Sequence, residues 1–402
     1  MKKRRDQTKD GKSPKPDLPS RPWYKNTMAI FGLVSAIVAT VSGLIVVFQQ
    51  FQSTQVFRNT VIVFDRSAEM NAPFDGGTKL DAAIKAVNEA LTSEVADTDN
   101  LALRSFGGSC DSTNSEMLIG FRQKNETRVR AAIQNLQAGG AETLTSAIIE
   151  ATGDFSDLKR FEGTIKRIIV ITGGGDDCES DPATFIRNRL AGLGAGKDIQ
   201  VSFRFVGMAL NPEQRDQLTA IAEETGGLSN ENVEDQVFFV DNANELKEAL
   251  TGIIEVEPII QLVHSMATSM NDVTDKLNLA VNAVSIKDYS GADENLKAAK
   301  DEFNKSQPLL AGLKQGLSVE LFHEQLQDLY DLTAANQELQ KKQLELLPTM
   351  IDQGKREDIE AWNKTVDEWN QILSQFNDNI AQMDGITEDI QNQLRASHSS
   401  SQ

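Results

Sequence analysis

Histidine and cysteine are scarce in this chain, with three His and two Cys in 402 residues. His264, His323 and His398 are scattered, and none belongs to a His-Glu-x-x-His helix. Two cysteines with no histidine nearby are a poor zinc set. No Ser-His-Asp or Cys-His arrangement offers a nucleophile with its base. Gly173-Gly174-Gly175 follows an apolar run, as phosphate loops do, but no Gly-Lys-Ser/Thr follows it, so a tight loop is the simpler reading. Excess positive charge is lacking too. The chain carries a net −19, and because residues 1–27 hold nine Lys/Arg and three Asp, the rest carries −25. Such an acidic body repels phosphate backbones and argues against nucleic acid. It suits solubility and the binding of cations or basic surfaces. The sequence therefore predicts no enzyme.

One hydrophobic run stands out. Met28 to Phe48 contains no charge and no proline. As a helix its 21 residues reach roughly 30 Å, the thickness of a bilayer's hydrocarbon core. Trp23 and Tyr24 precede it, where aromatic rings favour the interface. The run is longer than a signal peptide's apolar region, and no small-x-small cleavage site follows at Gln49–Gln52. An uncleaved membrane anchor over 28–48 is expected. Lys and Arg crowd its N-terminal flank while Arg58 alone follows closely, which predicts a cytoplasmic N-terminus and an extracytoplasmic body. The basic tail, 1–27, is rich in Lys, Asp, Pro and Ser and is expected to be disordered. Residues 49–57 form a short linker.

From 58 to 254 short apolar runs alternate with helical patterns. Thr60–Asp65, Asn100–Phe106, Glu116–Phe121, Lys166–Thr172, Ile199–Val206 and Val237–Val240 read as strands. Lys79–Leu91, Glu126–Leu136, Leu144–Thr152 and segments opening at Pro182, Pro212 and Asn242 read as helices. This alternation predicts an α/β doubly wound domain with a mainly parallel sheet. Its ligand site is expected beyond the carboxyl ends of the strands.

The segments at those ends carry a resemblance. Val61-Ile-Val-Phe-Asp65-Arg66-Ser67-Ala68-Glu69-Met70, with Thr78-Lys79-Leu80-Asp81-Ala82-Ala83 after it, resembles the opening of a von Willebrand factor A-type domain. Gly139-Gly140-Ala141-Glu142-Thr143-Leu144 is similar to that family's Gly-Gly-Thr loop. Ile168–Asp177 is similar to its fourth strand, which normally ends Thr-Asp-Gly. The family's metal-ion-dependent adhesion site uses an Asp, two Ser, a Thr and a second Asp to hold Mg²⁺ or a similar hard cation, for which oxygen ligands are suited. Here Asp65 and Ser67 match. Glu69 replaces the second Ser, Glu142 stands at the Thr position with Thr143 adjacent, and Gly173 replaces the second Asp. The resemblance thus implies a degenerate site with two readings. Either Glu69, Glu142, Asp176 and Asp177 rebuild an acidic pocket for Mg²⁺ or Ca²⁺, or the metal is lost and no cofactor remains. The substitutions favour loss.

In the family's strand order, the strands preceding Cys110 and Cys178 flank the first strand. A Cys110–Cys178 disulfide over the Asp65 crevice is expected, in keeping with an oxidising compartment.

Beyond 255 the pattern is purely helical. Ile259, Val263, Met266, Met270, Val273 and Leu277 open a seam with steps of three and four. Further sets run from Ala292 to Leu310, from Phe322 to Leu346, and from Ile359 to Leu394, with a break at Tyr289-Ser-Gly291 and with Pro348 and Gly354 expected to separate the last two helices. This predicts an all-α bundle or coiled coil over 255–396, with Asp, Glu, Lys, Gln and Asn on its outer faces and a disordered tail at 397–402. The expected function is a membrane-anchored, non-catalytic protein-binding or scaffolding protein. Its partner would be a protein at the same membrane surface, and the helical region could also form an oligomer. The alternative is a Ca²⁺/Mg²⁺-regulated sensor or adhesion protein using the rebuilt site.

Overall fold

The computed structural model describes residues 58–91, 100–110, 115–155, 165–194, 201–229 and 233–399. The expected tail, membrane helix and linker, 1–57, lie outside these. Among the described residues no helix is long and apolar enough to cross a membrane.

The first region is the predicted α/β domain. Its strands are β1 (Arg58–Asp65), a small hairpin of β2 (Pro73–Phe74) and β3 (Gly77–Thr78), β4 (Asn100–Phe106), β5 (Ser115–Arg122), β6 (Ile165–Thr172), β7 (Ser202–Met208) and β8 (Val237–Val240). Its helices are α1 (Lys79–Ala90), α2 (Glu126–Ile133), α3 (Leu144–Gly153), α4 (Pro182–Gly194), α5 (Pro212–Ser229) and α6 (Ala243–Thr251). The main sheet has the order β5-β4-β1-β6-β7-β8. All neighbours are parallel except β5, which runs antiparallel to β4 at the edge. β7 begins at Ser202, and residues 199–200 of the expected strand lie outside the described residues.

The centre of β1, Val61–Phe64, is continuously apolar because both its faces are covered, as in parallel sheets generally. Ile62 and Phe64 pack with Ala83 and Val87 of α1, Val129 of α2 and Leu246 and Leu250 of α6. Val61 and Val63 face Leu144 and Ile148 of α3, Ile186 of α4 and Leu218 of α5. Burying each large aliphatic side chain contributes about 1.5–3 kcal/mol. The pairing of Asp65 with Phe106 and of Phe64 with Ile171 brings the ends of β1, β4 and β6 level.

The second region is a helical bundle in which α7 (Glu257–Ser285), α8 (Tyr289–Gln315), α9 (His323–Arg356) and α10 (Ile359–Ser399) run alternately down and up. Leu262 of α7 lies against Gly312 of α8, and Thr333 and Gln353 of α9 meet Met383 and Thr365 of α10. Val263, Met266, Leu313, Leu326, Leu329, Phe376 and Met383 share its core.

Five expectations need correction here. No boundary falls at 254/255: α6 passes through a π-helical turn, Gly252–Val256, directly into α7. Carbonyls of the turn and of the first turn of α7 are held from the sheet. Arg167 Nη1 donates to Ile253 O at 2.6 Å, and Arg58 Nη1 donates to Pro258 O at 3.1 Å. Arg204 Nε donates to the Glu257 carboxylate at 2.8 Å. Pro348 lies inside α9, and the chain turns only at Glu357, which adopts φ 58°. Burial of Leu347, Met350 and Ile351 offsets the proline's cost of about 3 kcal/mol. Likewise Tyr289–Gly291 is the first turn of α8, capped by Asp288, and residues 397–399 continue α10. Finally, Asn336, Gln337, Gln340 and Gln343 are buried rather than on an outer face. Gln340 Nε2 donates to Met270 O and Thr274 Oγ1, Gln337 donates to Ser306, and Asn379 donates to Asn336.

Candidate functional site

At the carboxyl ends of β1, β4 and β6 three loops are laced together. Arg66 N donates to Phe106 O, and Ala68 N donates to Gly140 O, both at 2.8 Å. Gly108 and Ala141 exchange backbone hydrogen bonds of 2.9 and 2.6 Å. Two glycines make this approach feasible. Gly107 (φ 121°) and Gly140 (φ 86°) have left-handed backbones, and a Cβ on either would lie 2.7 or 2.5 Å from the facing loop's backbone. The expected Cys110–Cys178 disulfide is formed, with Cα atoms 5.2 Å apart.

Beneath the loops lies Asp65, fully buried. Its Oδ1 accepts from Ser67 N at 2.6 Å and its Oδ2 from Gly173 N at 2.8 Å. Glu142, also fully buried, projects into the same space. Its Oε1 accepts from Thr172 Oγ1 and from Gly174 N at 3.0 Å. The two carboxyls lie within hydrogen-bonding reach of each other. Burial pushes the Glu142 carboxyl well up, and the Asp65 charge adds to the effect. Burial raises the Asp65 pKa too, but two backbone N–H donors oppose that rise, so a proton between the pair belongs on Glu142.

Lys79, buried at the start of α1, closes the floor. Its Nζ donates to Gly173 O at 2.6 Å and Ala209 O at 3.3 Å. Burial lowers its pKa, against the opposing pull of Glu69, Glu142 and Asp65. Lys79 and Thr172 were not among the candidates read from the sequence. A signal for Lys79 existed, since it sits four residues before Ala83 on the apolar face of α1.

The other candidates divide. Glu69 is on an exposed turn at the rim. Thr143 Oγ1 accepts from Gly107 N at 3.3 Å. Asp176 Oδ2 accepts from Thr145 N and Oγ1, at 2.7 and 2.8 Å, and so braces the start of α3. Asp177 Oδ2 accepts from Glu142 N at 2.8 Å. The structure therefore brings Asp65, Ser67 and Glu142 together, and commits Thr143, Asp176 and Asp177 to loop backbone. Glycine at 174 makes room for Glu142, whose Oε2 lies 1.9 Å from where a Cβ would be.

This chemistry fits a hard cation poorly. Both Asp65 oxygens and one Glu142 oxygen are already engaged by donors, and glycine stands where a second aspartate would supply a ligand. Among the described residues no set of three or more Asp, Glu, His or Cys is disposed to hold a metal ion.

Comparison with known proteins agrees with the fold. Residues 60–175 match the model of the von Willebrand factor type A domain. No curated protein matches the chain. Similar solved structures include the pilus adhesin SpaC from Lactobacillus rhamnosus GG, at 12% identity and TM-score 0.39, covering 50% of this chain and 30% of that one. The SpRpn10 VWA domain is similar at 13% identity and TM-score 0.36, covering 49% and 94%. Manganese-loaded TRAP protein from Plasmodium vivax is similar at 16% identity and TM-score 0.34, covering 49% and 72%. This chain thus spans about 30% of the adhesin's length.

Proposed function

Starting from a chain that contains a von Willebrand factor A-type domain, we propose a non-catalytic protein-binding or scaffolding role, exerted by the loops over the Asp65 crevice without a metal ion. The observation that carries the reading is the crest itself. Backbone bonds and a disulfide hold its loops in one arrangement, so a partner meets a preformed surface rather than one it must order. The exposed carboxylates of Glu69 and Asp177 give that surface an acidic character, which suits a basic protein partner. The basic flank and the apolar run at 28–48 support anchoring in a plasma membrane with the body outside, so the partner would sit at the same surface. Crosslinking in intact cells tests this. A defined set of crosslinked partners should survive a chelator and be lost on Glu69→Lys with Asp177→Lys. Partners that persist in the charge-reversed variant would sink the reading. Alkaline extraction tests the anchor, since an anchored chain stays with the membrane.

One observation favours a second reading. Ser67 Oγ and Glu142 Oε2 are buried near Asp65 with no hydrogen-bond donor, and a Mg²⁺ or Ca²⁺ ion could collect such oxygens in a metal-regulated sensor. Binding to the folded state alone would raise the melting temperature. A rise in millimolar Mg²⁺ or Ca²⁺, reversed by chelator, selects the sensor. An unchanged melting temperature selects the metal-independent scaffold.

A further inference from the structure

At the opposite end of the sheet, where β4 begins and β5 ends, Asn100, Phe121, Arg122, Gln123, Lys124 and Arg128 line a shallow cavity of about 700 Å³. That volume is in the range of small-molecule sites. Its charge is unusual for this chain. Elsewhere in the same domain several arginines are met by carboxylates, Arg104 by Glu150 and Asp154, Arg187 by Glu224, and Arg215 by Asp241, although Arg66, Arg130 and Arg189 are not. Arg122, Lys124 and Arg128 have no carboxylate partner among the described residues, although acids outnumber bases 59 to 40 in the whole chain. Arg128 makes only a long hydrogen bond, 3.4 Å, to Asn125 Oδ1. Converging like charges repel unless an anion joins them.

The backbone adds a second observation. Lys124 has φ 54°, a left-handed conformation that a non-glycine residue adopts at a cost of roughly 1–2 kcal/mol. Such strain is characteristically kept where a side chain must be presented. The turn is fixed from below by Asn125, whose Nδ2 donates to Leu101 O at 2.7 Å and Gly120 O at 2.9 Å. It therefore holds Lys124 at the lip of the cavity.

We infer that this cavity binds a phosphate-bearing ligand. The Arg122 and Arg128 guanidiniums would take the phosphate oxygens by paired N–H donors, with Lys124 as a point charge. The Gln123 amide is placed to bond an attached hydroxyl or ester oxygen. The half-buried Phe121, packed on Phe155 with ring centroids 5.0 Å apart, supplies a firm apolar wall. The phosphate could belong to a soluble ester or to a lipid headgroup. The site is distant from the Asp65 crevice and does not depend on its function.

The test titrates the full chain with inorganic phosphate and with glycerol 3-phosphate by calorimetry. In parallel it measures binding to phosphatidylcholine vesicles with and without phosphatidylglycerol. Each measurement is repeated with Arg122→Gln/Lys124→Gln/Arg128→Gln and with Lys124→Gly. Losing one charge-assisted hydrogen bond should weaken binding about tenfold or more. Lys124→Gly should raise the melting temperature by relieving strain yet lower the affinity, which separates ligand binding from a role in folding. Loss of soluble-ester binding in the variants supports a soluble ligand. A loss confined to phosphatidylglycerol vesicles supports a headgroup. Equal binding by parent and triple variant in every arm, or no binding to any probe, overturns the inference.

Discussion

Replacing both cysteines by serine should destabilise the first region by a predictable amount. The Cys110–Cys178 bond spans 68 residues. In the chain-entropy treatment, closing a loop of that length in the unfolded state is worth about 4 kcal/mol at 25 °C. The bonded loop also steadies the crevice, since Cys178 lies beside Asp177, whose N–H and carboxylate both engage the Glu142 backbone. The melting shift reveals how much of the chain unfolds together. With an unfolding entropy of roughly 2.1 cal/mol/K per residue, 4 kcal/mol lowers Tm by about 10 °C if only about 200 residues melt as one unit. The fall is about 6 °C if about 340 residues melt together. Differential scanning calorimetry of parent and Cys110→Ser/Cys178→Ser, each with and without reductant, provides the measurement. The variant should ignore reductant, and the reduced parent should melt like the variant. A shift below about 2 °C would refute the reasoning, because the denatured chain would then gain almost nothing from losing its crosslink.

Three further outcomes are expected. Glu142 is held neutral in the folded state above its ordinary pKa of 4.5, so the folded state binds more protons there and the parent should lose stability as pH rises from that value. Glu142→Gln should flatten this slope and raise Tm at alkaline pH; a parent-to-variant difference that is the same at every pH would count against the shared proton. Arg167→Met removes a fully buried guanidinium and its bond to Ile253 O, which should cost about 3 kcal/mol and split the calorimetric transition in two. A single unshifted peak would show that Arg167 does not couple the regions. Gln343 is buried with neither amide atom hydrogen bonded, so Gln343→Met should stabilise the bundle by about 1–2 kcal/mol in urea unfolding. A lower denaturation midpoint would contradict that.

The sheet was legible because Val61–Phe64 of β1 and Ile168–Ile171 of β6 are continuous apolar runs, and burial on both faces demands that composition. The cysteine pairing was legible once the flanking strands were placed. Glu69, Glu142 and Gly173 were visible as departures from the metal-binding pattern, but their outcome was not. Whether Glu142 rebuilds or fills the pocket depends on Gly174 admitting its carboxylate, which is a matter of three-dimensional fit. The polar face of α9 was misread for a related reason. Asn336, Gln337, Gln340 and Gln343 resemble a solvated stripe in sequence, and only the carbonyl and hydroxyl groups of neighbouring helices reveal that they point inward. Pro348 misled because local propensity was outweighed by the packing of Leu347 and Met350. The passage from α6 to α7 was misread because Gly252 and Pro258 punctuate it like a break, whereas donors such as Arg167 hold its carbonyls and keep the chain helical.

That passage has a mechanical meaning. Chains that join two folded bodies usually do so through a compliant segment, which absorbs strain. Here the joint is a helix pinned by three arginines on neighbouring strands, and α10 returns to grip the same place through Leu394 against Gly252 and Arg395 on Asp235. With helices of 29 and 41 residues built onto it, the bundle reaches tens of ångströms from the sheet. A load applied at its far turns therefore has no slack to take up, and it arrives at the sheet as torque on Arg167 and its neighbours.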